Sequence, residues 1–130
     1  MKFYDVEIIE KVELTEEDIS DILCACIEGG SSYWAQIQNY GEEWDGVDAI
    51  LPADHTIEDH IMAMWQNGYS LTIFDEEEGE FYDISFEKFL DAIKSVIDDG
   101  IWDGDDVCDV DGEIGDCIMQ YAAFDAIIYG

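Results

Sequence analysis

The sequence predicts an α+β fold in which three or four helices pack on a small, mainly antiparallel sheet. Three observations carry that expectation. Apolar residues recur at helical spacing behind hydroxyl or carboxyl caps in several stretches. Two short apolar runs bracket a polar turn. The 130 residues, 48% hydrophobic and 13% aromatic, suffice for one core and argue against disorder. A single acidic domain over 1–130 is expected, with no internal repeat and no Gly/Ser/Pro linker; Pro52 is the only proline.

The elements follow in order. Phe3–Ile9 alternates, with Tyr4, Val6 and Ile8 on one parity, and reads as a strand. Thr15 then caps a helix, with Asp18 placed to reach back and three carboxylates at the positive end of the dipole. Its stripe is Ile19, Ile22, Leu23, Cys26 and Ile27, and Gly29-Gly30 stops it. Ser31–Tyr40 alternates as an exposed or pocket-facing strand, and 41–54 reads as an acidic loop tacked down by Trp44, Val47 and Ile50. Asp54 or Thr56 caps a helix facing inward through Ile57, Ile61, Met64 and Trp65. Tyr69, Leu71 and Ile73 pair with Phe81 and Ile84 across a hairpin turned at 75–79. Ser85 caps the clearest helix, with Phe86, Phe89, Leu90, Ile93, Val96 and Ile97 along one face. A last helix carries Ile114, Cys117, Ile118, Tyr121 and Ala122 to about Phe124, and Ala126–Tyr129 is expected as a short terminal strand.

Charge narrows the function classes. Thirty-four acidic residues against four lysines and no arginine give a formal net charge of −30. Over a surface of roughly 7,000 Å² expected for this mass, that is about one uncompensated charge per 230 Å². A B-DNA cylinder carries one per roughly 110 Å². The chain therefore averages about half the charge density of DNA. It offers no basic patch for counterion release, so direct nucleic-acid binding and adhesion to an anionic membrane are disfavoured. No signal peptide and no run of eighteen apolar residues is readable, and a cytoplasmic location in a bacterial host cell is expected.

Motifs for catalysis or cofactors are lacking. The Asp103–Glu113 run fails EF-hand spacing in every register. Cys24, Cys26, Cys108 and Cys117 with His55 or His60 lack zinc-ligand spacing, and the cysteines read as reduced thiols and small hydrophobes. His60, one residue before Ile61, reads as a solvated surface histidine. No phosphate-binding loop, dinucleotide fingerprint or nucleophile elbow is present. No enzyme activity, cofactor or dedicated metal site is expected. The segment Glu28–Trp34 stands out: two glycines, two hydroxyls and adjacent aromatics form either a ligand-lined bend, with Tyr33, Trp34 and Gln120 as pocket residues, or a glycine C-cap leading into a strand.

The segments 28–34, 88–93 and 116–124, with the ending Ile128-Tyr129-Gly130, resemble small uncharacterised proteins carried by phages and conjugative elements of Gram-positive bacteria. By size and charge alone, the chain also resembles DNA-mimic inhibitors of restriction and CRISPR systems. That likeness implies inhibitory binding: an acidic face occupying the nucleic-acid channel of a basic host-defence protein. The contact carboxylates expected are Asp98, Asp99, Asp103, Asp105, Asp106, Asp109, Asp111, Glu113 and Asp116, joined by Asp75, Glu76, Glu77, Glu78, Glu42 and Glu43. Homo-oligomerisation stays open. The rival readings are a small-molecule-binding or sequestering anti-defence protein and a salt-adapted domain of unrelated function.

Overall fold

In the computed structural model, residues 3–6, 12–38 and 41–129 are described. Strand β1 (Phe3–Val6) pairs antiparallel with β2 (Val12–Thr15), Phe3 opposite Thr15 and Val6 opposite Val12. Thr15 ends β2 and begins α1 (Glu16–Ala25) through a full capping box: its hydroxyl accepts from the Asp18 amide, and the Asp18 carboxylate accepts from the Thr15 amide. The apolar stripe of α1 is buried at Ile19, Ile22 and Leu23. The helix then widens into a π-turn, Cys26–Gly30, closed by the Ser31 amide on the Cys26 carbonyl at 2.9 Å.

The three-stranded sheet has the order β3 (Ala35–Ile37), β4 (Leu71–Asp75), β5 (Glu80–Ile84), antiparallel throughout. Leu71, Ile73 and Asp75 face the core and Thr72 and Phe74 alternate outward, as a half-buried strand requires. Thr56 caps α3 (Ile57–Gln66) with a second capping box completed by Asp59. Ser85 caps α4 (Phe86–Asp98), and Asp111 caps α5 (Gly112–Phe124). Helix α5 is the hub of the packing, lying against α4, α1, the π-turn and β5.

Three expectations need correction. The described residues hold five α-helices, not three or four, and the strands divide between a two-stranded ribbon and the three-stranded sheet. The additional helix is α2 (Glu42–Ile50), expected as an acidic loop; it carries one buried residue, Val47, which meets Ala63 and Met64 of α3 in a small satellite core. Its N-cap, Gly41, supplies no side-chain cap, so neither a cap nor a wide apolar stripe announces it. The strand expected at 31–40 contracts to Ala35–Ile37 behind a turn, with Asn39 and Tyr40 outside the described residues. The segment 126–129 is not a strand: the Ile128 and Tyr129 amides donate to the Gln120 side chain instead of to a ladder.

Candidate functional site

The acidic run after α4 is held by apolar anchors. Trp102 is 3% exposed and donates its indole N–H to the Asp106 carbonyl, and Val110 is buried beside it. Between these anchors the chain turns on its own carboxylates: Asp103 accepts from the Asp105 amide and Asp106 from the Cys108 amide. Asp103, Asp105, Asp106 and Asp109 are thereby presented to solvent between the anchors, and Asp98 and Asp99 at the end of α4 and Asp111 and Glu113 at the start of α5 are exposed on either side. Of these, Asp98 pairs with Lys94 at 3.1 Å and Asp99 accepts from the Tyr121 hydroxyl.

The run does not stand alone. A cleft of about 480 Å³ between it and α1 is lined by Glu13, Asp18, Asp21, Asp105 and Asp106. A second, of about 420 Å³, shares Asp21 and adds Glu16, Glu17 and Asp59. Sequence reasoning missed the α1 carboxylates as surface partners of the run. Their signal was the polar face opposite the Ile19, Ile22, Leu23 stripe. Glu76, Glu77 and Glu78 are exposed at the β4–β5 turn, and Glu42 and Glu43 are exposed in the first turn of α2. Among the described residues no helix is long and apolar enough to cross a membrane.

Two of the expected contact carboxylates are structural instead. Asp116 accepts from Ser31 Oγ (2.9 Å) and Trp34 Nε1 (2.7 Å) on Oδ1, and from the Tyr33 hydroxyl (2.6 Å) and Gln120 Nε2 (2.9 Å) on Oδ2. Asp75, fully buried, accepts from the Tyr129 hydroxyl at 2.7 Å and from the Glu77 amide at 2.9 Å. Asp116 thus spends its four acceptor positions on internal donors, and Asp75 has no exposed surface to offer a partner. The same network consumes the expected pocket residues. Trp34 is fully buried, Gln120 is 1% exposed and spends its Oε1 on the Ile128 and Tyr129 amides, and Tyr33 packs edge-on to Tyr129. The cavity beside Ser31 and Met119 measures about 20 Å³, room for one water. The Glu28–Trp34 segment thus joins α1 to α5 and the C-terminal tail through one carboxylate.

All four cysteines are free, and all four thiols are pushed up: Cys24 to about 12 by its hydrogen bond to Glu28, Cys26 and Cys117 by burial, Cys108 by the Asp106 charge. Thiolate nucleophiles are therefore scarce at neutral pH. Cys24 donates to Glu28 at 2.6 Å, and beside them lies Glu58, 5% exposed, with Oε1 unpartnered. Burial, then the neighbouring Glu28 carboxyl, raises the Glu58 carboxyl. A raised carboxyl binds its proton more tightly in the folded state, so its stabilising effect is complete at acid pH and is lost as pH rises through the folded value. Glu58→Gln removes the charge, so it should stabilise the protein by about 1 kcal/mol at pH 8 and by less at pH 5. Urea unfolding of parent and variant at the two pH values measures this; a variant no more stable at pH 8 contradicts the assignment.

His60 is 2% exposed, with its ring stacked on Trp44 at 3.5 Å, so it is a core histidine and not the solvated one expected. Burial pushes its ionisation below the usual histidine range. No protein-family model, curated protein or solved structure matches the chain.

Proposed function

We propose that the chain is an inhibitory binder whose carboxylate face takes the place of nucleic acid in the basic channel of a host-defence protein, such as a restriction complex or a CRISPR effector. The supporting observation is the Trp102-anchored run with its eight exposed carboxylates, opening into the acidic cleft against α1, which shares Asp21 with the second acidic cleft. A net charge of −30 over 7169 Å² is one per about 240 Å², a density that a DNA-binding channel attracts at long range. Backbone fixation matters because an ordered polyanion binds without the entropy of ordering a loop. Asp75 and Asp116 are removed from the contact set, and Glu13, Glu17, Asp18 and Asp21 enter it.

The test is displacement of labelled duplex DNA from purified restriction complexes and CRISPR effectors over a salt series. The parent is expected to displace DNA from at least one of them. Asp103→Asn, Asp105→Asn, Asp106→Asn and Asp109→Asn combined keep the turn-forming oxygens and remove four charges. That variant should associate about tenfold more slowly and show a shallower salt slope. Equal rates and slopes for the two proteins would take this segment out of the interface, and failure of the parent to displace DNA from any of them would overturn the reading.

A further inference from the structure

Asp48 near the end of α2, His55 in the connection 51–56 and His60 in α3 converge on one point. Their ligand atoms all lie within 4.8 Å of one another. Asp48 Oδ1 is 3.1 Å from His55 Nε2 and 3.6 Å from His60 Nδ1. A four-coordinate zinc ion with bonds of about 2.0–2.1 Å separates neighbouring tetrahedral ligands by about 3.3–3.4 Å. The two observed separations bracket that edge.

The far side of each ring fixes its tautomer. His55 Nδ1 lies 2.6 Å from the Pro52 carbonyl and His60 Nε2 lies 3.2 Å from the Trp44 carbonyl. A carbonyl oxygen only accepts, so each of these nitrogens carries a hydrogen, and the opposite nitrogen of each ring, the one that faces the Asp48 carboxylate, is the one left to bind a metal ion in exchange for any proton it holds. Three acceptors facing one point attract a cation. Outer N–H groups donated to backbone carbonyls are also the arrangement that orients imidazoles as metal ligands.

We propose that Asp48, His55 and His60 form a three-ligand site for a divalent transition-metal ion of the zinc type. Two imidazoles in the donor set disfavour magnesium and calcium, which prefer all-oxygen shells. The Asp48 side chain is 56% exposed, so the fourth position opens to solvent. The ion clips α2, which buries only Val47, onto α3, and so fixes the exposed Glu42 and Glu43 at the other end of α2.

The acidic surface attracts any divalent cation, so the test separates site from field. Chelator-treated full-length protein is titrated with zinc chloride in excess magnesium chloride, with a competing dye and thermal melting as readouts, and cobalt chloride is used as the spectroscopic probe. Expected are one equivalent of zinc held against magnesium, a raised melting temperature, and the visible band of four-coordinate cobalt without thiolate charge transfer. His55→Ala and Asp48→Asn lie at exposed or half-buried positions, so they fold where His60→Ala need not. Each should weaken zinc at least about tenfold. Zinc uptake that magnesium displaces, or that both variants retain, assigns the cations to the acidic surface and overturns the proposal. Strong thiolate–cobalt bands place the ion on cysteine and overturn it equally.

Discussion

Trp34→Ala is expected to destabilise the protein by about 3–5 kcal/mol, the cost of truncating a fully buried tryptophan. The indole sits 4.9 Å from the Phe124 ring and 5.6 Å from that of Tyr129, so truncation opens a cavity between the π-turn side of the core and the tail. It also withdraws the 2.7 Å donor from Asp116 Oδ1, leaving a partly buried carboxylate with one fewer hydrogen bond. The Trp34 carbonyl accepts from the Glu76 amide at 2.8 Å, so the disturbance reaches the acidic β4–β5 turn. Urea unfolding gives the magnitude, and mass spectrometry of molecules released by heating the parent gives the second arm. A loss under about 1 kcal/mol, or a small molecule released by the parent and not by a folded variant, would restore Trp34 to a ligand pocket.

The local signals were legible because they are made of neighbours in sequence. Thr15 and Ser85 cap where the hydroxyl-then-helix pattern placed them, Thr56 is the cap of the two that the sequence offered there, Asp54 and Thr56, and the Phe89, Ile93, Val96 and Ile97 face is buried as its period required. Helix α2 was hidden because most of its residues face water, so hydrophobic periodicity had almost nothing to record. The status of a carboxylate is a tertiary property. Asp116 and Asp109 look alike in the acidic run, yet one meets the Ser31, Tyr33 and Trp34 side chains more than eighty residues away and the other meets solvent. Likewise, His55 and His60 five apart match no metal motif, and only folding of the α2–α3 connection brings Asp48 to them.

Gly115→Ala and Gly30→Ala should each cost about 3 kcal/mol, at the upper end of overpacking, because they wedge apart two backbones. A Cβ on Gly115 would lie 2.7 Å from the Ala25 carbonyl carbon and 2.8 Å from the Cys26 nitrogen; one on Gly30 would lie 2.3 Å from the Gly112 oxygen and 2.8 Å from the Asp116 nitrogen. The obstructing atoms are main chain, so no rotamer change relieves them. Since Asp116 follows Gly115 directly, separating α5 from α1 and the π-turn also lengthens the Ser31 and Trp34 bonds to its carboxylate. Gly46 provides the control. It lies in α2 with nothing within 4 Å of a Cβ, so Gly46→Ala should stabilise the protein by about 0.5–1 kcal/mol through helix propensity alone. Denaturant midpoints for the three variants decide the matter. Losses at positions 30 and 115 with a gain at 46 show that the paired glycines serve close helix approach; a Gly115→Ala protein as stable as the parent would mean that α1 and α5 do not pack backbone to backbone, and the Asp116 network would lose its geometric basis.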